Sequence, residues 1–174
     1  MNKETIIKLL EQKHAEIFNW LENQPKENWE KGPKNKWTSG QHILHLVDSL
    51  QLLNNALSYP RFLLKYKFGV SNRPSKSYDA VVEKYQQRLH ENSEKAKVFN
   101  QKIKNPSLNE RERLITKYQI QQKKLQYKIR KIDDKNLDTL ILPHPLMGKM
   151  TIREIVMWTA HHTELHSHTL KLLY

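Results

Sequence analysis

Cysteine is absent from the 174 residues. That excludes a disulfide framework and any thiolate metal site, so a metal ligand here must be histidine or carboxylate. Glycine is scarce, at four, while Lys, Glu, Gln and Leu are plentiful, which favours helices over sheet. No apolar run approaches the length of a membrane span, and Met1-Asn2-Lys3-Glu4-Thr5-Ile6 has no apolar stretch of the kind that leads a secreted chain. These absences predict one all-α domain over residues 1–174, large enough for a sizeable core, in the cytoplasm and with no membrane partner. Acidic residues are sparse in one region. Residues 61–136 hold 20 Lys/Arg against 8 Asp/Glu, a surplus equal to the net +12 of the whole chain. Such a block can steer anionic ligands or contact nucleic acid or anionic lipid; a solvated, Lys-rich helical face is the simpler reading and is preferred.

What is present is a last helix, Thr151 to Leu173, with His162 and His166 one turn apart on one face. Ile152, Ile155, Val156, Thr159, Thr169, Leu170 and Leu173 follow the helical period, and both imidazoles fall inside their stripe. Two histidines in a core stripe need something to satisfy their nitrogens. A metal ion does so, and so do hydrogen bonds to neighbouring helices; the spacing alone leaves both open. A second helix, capped by Thr38 with Gln41 three residues on, carries His42 and His45 and runs to Leu57. Either histidine can approach a site shared with the last helix. His45 and Asp48 form an i,i+3 pair in which the carboxylate can orient the ring. The two helices are expected to pack face to face, burying Ile43, Val47, Leu50, Ile155, Thr159 and Leu170.

The remaining elements follow from periodicity and breakers. A first helix spans about 3–23 with His14 on its apolar side, where a core or supporting role fits better than ligation. A short helical piece covers 61–68 and ends at Gly69, and 71–76 is a polar linker. A charged helical segment spans about 78–104, with Val81, Val82, Tyr85, Leu89 and Val98 as its apolar anchors. Asn105-Pro106-Ser107 breaks it, and a helix over about 107–132 follows; the sequence leaves open two separate helices or one long helix kinked at Pro106. Pro143, Pro145 and Gly148 exclude a helix interior over 138–150, which reads as an extended crossover. His144 lies in that crossover and is a candidate for the pocket mouth. His161 and His168 sit off the His162/His166 face and read as solvated or surface-bonded, and His90, in the charged segment, reads as exposed. The architecture is a four-helix bundle with an additional helical segment and a long crossover before the last helix.

Three stretches taken in order resemble a known family. Trp37-Thr38-Ser39-Gly40-Gln41-His42-Ile43-Leu44-His45-Leu46-Val47-Asp48-Ser49 resembles the Trp-Ser/Thr…His-Leu-x-x-Ser signature of the DinB superfamily, which includes the YfiT-type metal-dependent enzymes. His144-Pro145-Leu146-Met147-Gly148-Lys149-Met150-Thr151 resembles its His-Pro-x-x-Gly-x-x-Thr lead-in, and His162-Thr163-Glu164-Leu165-His166 its closing His-x-x-x-His. The resemblance implies a four-helix bundle holding one divalent metal on His45, His162 and His166, with zinc or nickel favoured. His42, Asp48, His14 and His144 are then supporting or pocket candidates, and no catalytic residue is assigned. Superfamily activities include thiol-dependent transferases and isomerases. The implied partner is therefore a small-molecule substrate, anionic or a low-molecular-weight thiol.

Two functional classes follow. The first is an enzyme in which a metal activates water or a thiol for hydrolysis or thiol transfer. The second is a non-catalytic bundle that binds metal, or an anionic partner such as nucleic acid or an acidic protein, through its basic middle. No helix-turn-helix or basic-aromatic signature names such a partner, and nucleic acid is disfavoured. A His-Glu-x-x-His protease is disfavoured because Thr163, not Glu, follows His162. A di-iron bundle needs two Glu-x-x-His pairs, and only Glu11 to His14 has that form. A homodimer is compatible with this reading.

Overall fold

Three short polar side chains set where the bundle's helices begin. In the computed structural model, which describes residues 1–94, 98 and 102–174, Asn2 caps α1 (Lys3–Glu22) by accepting from the Thr5 N–H at 2.8 Å. Thr38 caps α2 (Ser39–Ala56) as a reciprocal box: its hydroxyl accepts from the Gln41 N–H, and its own N–H donates to Gln41 Oε1 at 2.9 Å. Thr151 and Glu154 repeat the device at the start of the last helix. Each box satisfies two backbone donors that would otherwise be orphaned at a helix start, and it fixes the phase in which that helix presents its side chains.

The order continues with α3 (Arg61–Phe68), α4 (Tyr78–Glu91), α5 (Arg111–Lys131), α6 (Asp134–Thr139), a hairpin of β1 (Ile141–His144) and β2 (Gly148–Thr151), and α7 (Ile152–Leu173). Four long helices close a ring. α1 packs closely on α7 and α2 on α5, while α1 touches α5 and α2 touches α7 more loosely. Ile6, Leu10, Ile17, Ile43, Val47, Leu50, Tyr118, Leu125, Ile129, Val156, Ala160 and Leu170 fill the interior. α4 lies on the outer side of α7. Among the described residues no helix is long and apolar enough to cross a membrane.

Several expectations need correcting. Ile43, Val47, Leu50, Ile155, Thr159 and Leu170 are all buried as expected, but α2 and α7 are not each other's main partners. The rings of α2 and α7 occupy the space between them and hold their backbones apart. The charged segment expected over 78–104 is interrupted: α4 ends at Glu91, Asn92 turns the chain, and Ser93, Glu94 and Val98 are again helical; 95–97 and 99–101 lie outside the described residues. The crossover over 138–150 is not merely extended. α6 ends at Thr139, and the strands then pair antiparallel with Leu142 opposite Met150 and Pro143 opposite Lys149. Proline is tolerated because a two-stranded sheet has only edges, and Gly148 supplies the positive φ of the turn. The partners lie only four to ten residues apart, but Pro143 and Pro145 hide the alternation that marks a strand.

Two contacts place the ends of α2 and α7. Trp29, buried, donates from its indole to the Ser107 carbonyl at 3.0 Å, and a Cβ on Gly40 would lie 2.7 Å from the Trp29 carbonyl oxygen. Only glycine lets the loop seat so close to the first turn of α2. At the other end, Arg73 of the linker makes a two-point contact with the buried Glu154 carboxylate. Burial alone would raise the Glu154 pKa. Arg73 and the backbone N–H groups of Lys76 and Thr151 outweigh it and keep the carboxylate charged.

His14 is wholly buried against Tyr118, ring centroids 5.4 Å apart, and neither nitrogen has a partner in hydrogen-bonding geometry. Burial lowers its pKa from 6.5 to about 4, against a small opposing pull from the Leu10 carbonyl. Below pH 6.5 the unfolded chain takes up a proton that folded His14 refuses until about pH 4. Stability therefore falls as pH drops through that window, in full by on the order of 3 kcal/mol. His14→Leu should remove this share of the acid sensitivity and leave stability at neutral pH equal or higher, since it deletes an unpartnered buried polar ring. Urea midpoints of parent and variant at about pH 7.5 and about pH 4.5 test this; a difference that does not change with pH would refute it.

Candidate metal centre

The phases fixed by Thr38 and Thr151 turn four imidazoles toward one another across the α2–α7 gap. His45 Nε2 lies 3.0 Å from His162 Nε2, and His162 Nε2 lies 3.1 Å from His166 Nε2. One ring nitrogen from each of His45, His162 and His166 falls within 4.8 Å of the other two. Behind them, His42 Nδ1 stands 2.7 Å from His166 Nδ1. His42 and His162 are buried, whereas His45 and His166 are partly exposed, so the cluster opens to solvent on one side.

A hydrogen-bond count exposes a shortfall. An imidazole nitrogen carries either one proton or one in-plane lone pair, so His162 Nε2 can complete only one of its two contacts. A cation accepts all three lone pairs together. Nitrogens about 2.0–2.1 Å from one ion stand about 3.0–3.4 Å from one another, close to the 3.0 and 3.1 Å separations found here. The three histidines are thus placed to hold a metal ion.

Protonation favours the same use. Burial lowers the pKa of His45 to about 4, and burial followed by the neighbouring His45 does the same for His42. His162 and His166 lie well below 6.5, first through burial and then through the surrounding imidazoles. Neutral rings at pH 7 keep their lone pairs available.

Aromatic side chains wall the cluster. The Trp158 ring stacks on His162 with centroids 4.6 Å apart and planes 16° from parallel. Trp37 lies parallel to His166 within 5°, at 5.9 Å, and also touches His42 and His45. His144 packs edge-on against Trp158 at 4.3 Å and accepts from the Leu146 and Met147 N–H groups through Nδ1. It therefore borders the cluster through Trp158. The tryptophan walls were not anticipated. Trp158 stands one turn before His162, and that i,i+4 spacing was the available signal.

Two supporting candidates are not at the cluster. Asp48 is exposed, and Lys117 is the cation acting on its carboxylate; the i,i+3 spacing permits a contact with His45, but the side chain faces solvent. His14 packs on Tyr118 in the core instead. His161, expected to be solvated or surface-bonded, is buried: α4 covers it, with the Tyr85 ring at 6.0 Å, and Glu164 lies 3.7 Å from its Nδ1. His90 and His168 are exposed as expected.

A family model for the DinB superfamily matches residues 4–170. No curated protein matches the chain.

Titration follows from this burial. In metal-free protein the His42 and His45 rings should remain neutral down to about pH 4. Ring-carbon and ring-nitrogen chemical shifts followed by NMR between about pH 7 and pH 4 measure this. A midpoint near the ordinary 6.5 for either ring would mean that water reaches it freely.

Proposed function

The chain belongs to the DinB superfamily, and from that membership and the imidazole cluster we propose that it is a metal-dependent enzyme acting on a small molecule. In this reading His45, His162 and His166 hold one divalent cation, zinc or nickel by the chemistry of an all-imidazole donor set. The observation that carries the reading is His162 Nε2, with two imidazole nitrogens within 3.1 Å and one hydrogen bond to give. Such an ion supplies Lewis acidity, polarising an electrophile and easing deprotonation of a water or thiol beside it.

The chain's own residues define the rest. The short contact between His42 and His166 leaves His166 Nε2 unprotonated when His166 donates from Nδ1, so His42 orients a ligand and sets its tautomer. Trp37 and Trp158 fix the planes of His166 and His162 and keep water from all but one side. Substrate enters where His45 and His166 are partly exposed. Glu164, the carboxylate nearest in sequence to the His162/His166 pair, is held by Lys13 at 2.6 Å and pulled toward His161. That arrangement points away from a carboxylate base and toward a nucleophile that brings its own acidic proton, a low-molecular-weight thiol or water, transferred to a small electrophile.

Elemental analysis of protein purified without a histidine tag should show one divalent ion per chain. His162→Ala and His166→Ala should abolish it, and His161→Ala and His168→Ala should retain it. His42→Ala keeps the three ligands and should weaken metal affinity by about 10- to 100-fold. With metal loaded, transfer of a low-molecular-weight thiol to an activated aryl halide should follow metal content across this series. Metal lost in His161→Ala but kept in His162→Ala would overturn the ligand assignment. Full metal with no transfer or hydrolysis on a panel of electrophiles would reduce the protein to a binding module.

A further inference from the structure

Between Ser49 and Tyr78 the chain has no acidic residue but five cations: Arg61, Lys65, Lys67, Arg73 and Lys76. Within that stretch α3 has an unusual surface. Its inner side buries Leu64 and rests Phe68 against the core. At about 100° per residue the opposite side carries Phe62 and Tyr66, which are 69 % and 91 % exposed, with Leu63 beside them. Lys65 and Lys67 flank this stripe on its two edges, both exposed. Tyr59 precedes the helix, and it lines a shallow concavity together with Tyr127 and Lys131. The Lys131 ammonium stands 5.7 Å over the Tyr127 ring. The helix thus has two apolar sides, one used by the core and one turned to water with lysines at its margins. A cluster of exposed large apolar side chains of this kind marks a contact surface.

We propose that α3 docks the protein peripherally on an anionic lipid bilayer. Phe62, Leu63 and Tyr66 enter the headgroup layer, and Lys65, Lys67 and Lys131 meet its negative charge. Charge complementarity calls for an anionic partner, because a second copy of this chain would oppose these lysines to their own kind. Asp133 approaches the patch but is held by Arg61 at 3.0 Å. Shape and chemistry separate a bilayer from nucleic acid. Single strands are bound in grooves where bases stack on rings, whereas the exposed stripe runs along the outer side of a helix and Leu63 offers no ring. An aromatic and aliphatic stripe edged by lysines is how a helix lies in a membrane interface, with the lysine stems running along the apolar layer. The absence of a spanning segment underlies the expectation of no membrane partner; peripheral docking needs no span. The inference does not depend on the metal centre.

Flotation with vesicles of phosphatidylcholine, alone or with about 30 % phosphatidylserine, tests it. Binding should require phosphatidylserine and fall as salt is raised. Each surface lysine is worth about fivefold in partitioning, so Lys65→Gln with Lys67→Gln should weaken binding about 25-fold. Phe62→Ser with Tyr66→Ser keeps every charge and should weaken it at least about tenfold. The control pair Lys31→Gln with Lys34→Gln, in the loop before α2, should bind like the parent; circular dichroism confirms that all variants fold. Equal losses in the control and α3 lysine pairs would reveal diffuse charge attraction and overturn the proposal. So would unchanged binding in the aromatic variant, no binding to either vesicle, tighter α3-dependent binding to a single-stranded oligonucleotide, or α3-dependent dimerisation.

Discussion

An imidazole nitrogen enclosed by protein has one bond to give, and between α2 and α7 three of them converge so that His162 Nε2 faces two others and can answer only one. That convergence depends on the unequal sides of the bundle. The α1–α7 and α2–α5 pairs are the closest in the bundle, while the looser α2–α7 side leaves room for rings. The caps at Thr38 and Thr151 then decide which residues turn into the gap. Moving the start of α2 by one position would rotate His42 and His45 by about 100° and dismantle the cluster without altering the core's composition. Gly40 secures that start against Trp29.

Much of this was legible in the sequence because it is local. Thr38 with Gln41, the stop at Gly69 and the i,i+4 pair His162/His166 are short-range patterns, and each lies where its pattern places it. Periodicity could not choose between His42 and His45, which are only about 60° apart around the helix. The structure uses both, one in the converging trio and the other behind His166. The placing of His161 has a non-local cause, because nothing in α7 shows that α4 covers it, and the outward turn of Asp48 likewise depends on neighbours outside its own stretch. The β1–β2 hairpin is local, its partners four to ten residues apart, but Pro143 and Pro145 hide the alternation that marks a strand.

The segment between α3 and α5 lies apart from the family's short motifs, yet it shapes the site. Arg73 ties the linker to Glu154 at the first turn of α7, and α4 then follows the outer side of that helix. Tyr85 of α4 packs against Trp158 at 5.7 Å, with His144 of the hairpin on the same indole. Trp158 is thereby held from two directions against His162. The ring orientation at the cluster is thus set partly by the hairpin and by an element with only Val81 and Tyr85 buried.

The chain has four tryptophans, and two of them, Trp37 and Trp158, lie face to face with the rings of His166 and His162. An indole's excited state is sensitive to charge brought against its face, whether by a protonated imidazole or by a cation drawn to that imidazole's far side. The protein therefore carries its own optical reporter: its ultraviolet emission should read the electrical state of the histidine cluster without a label.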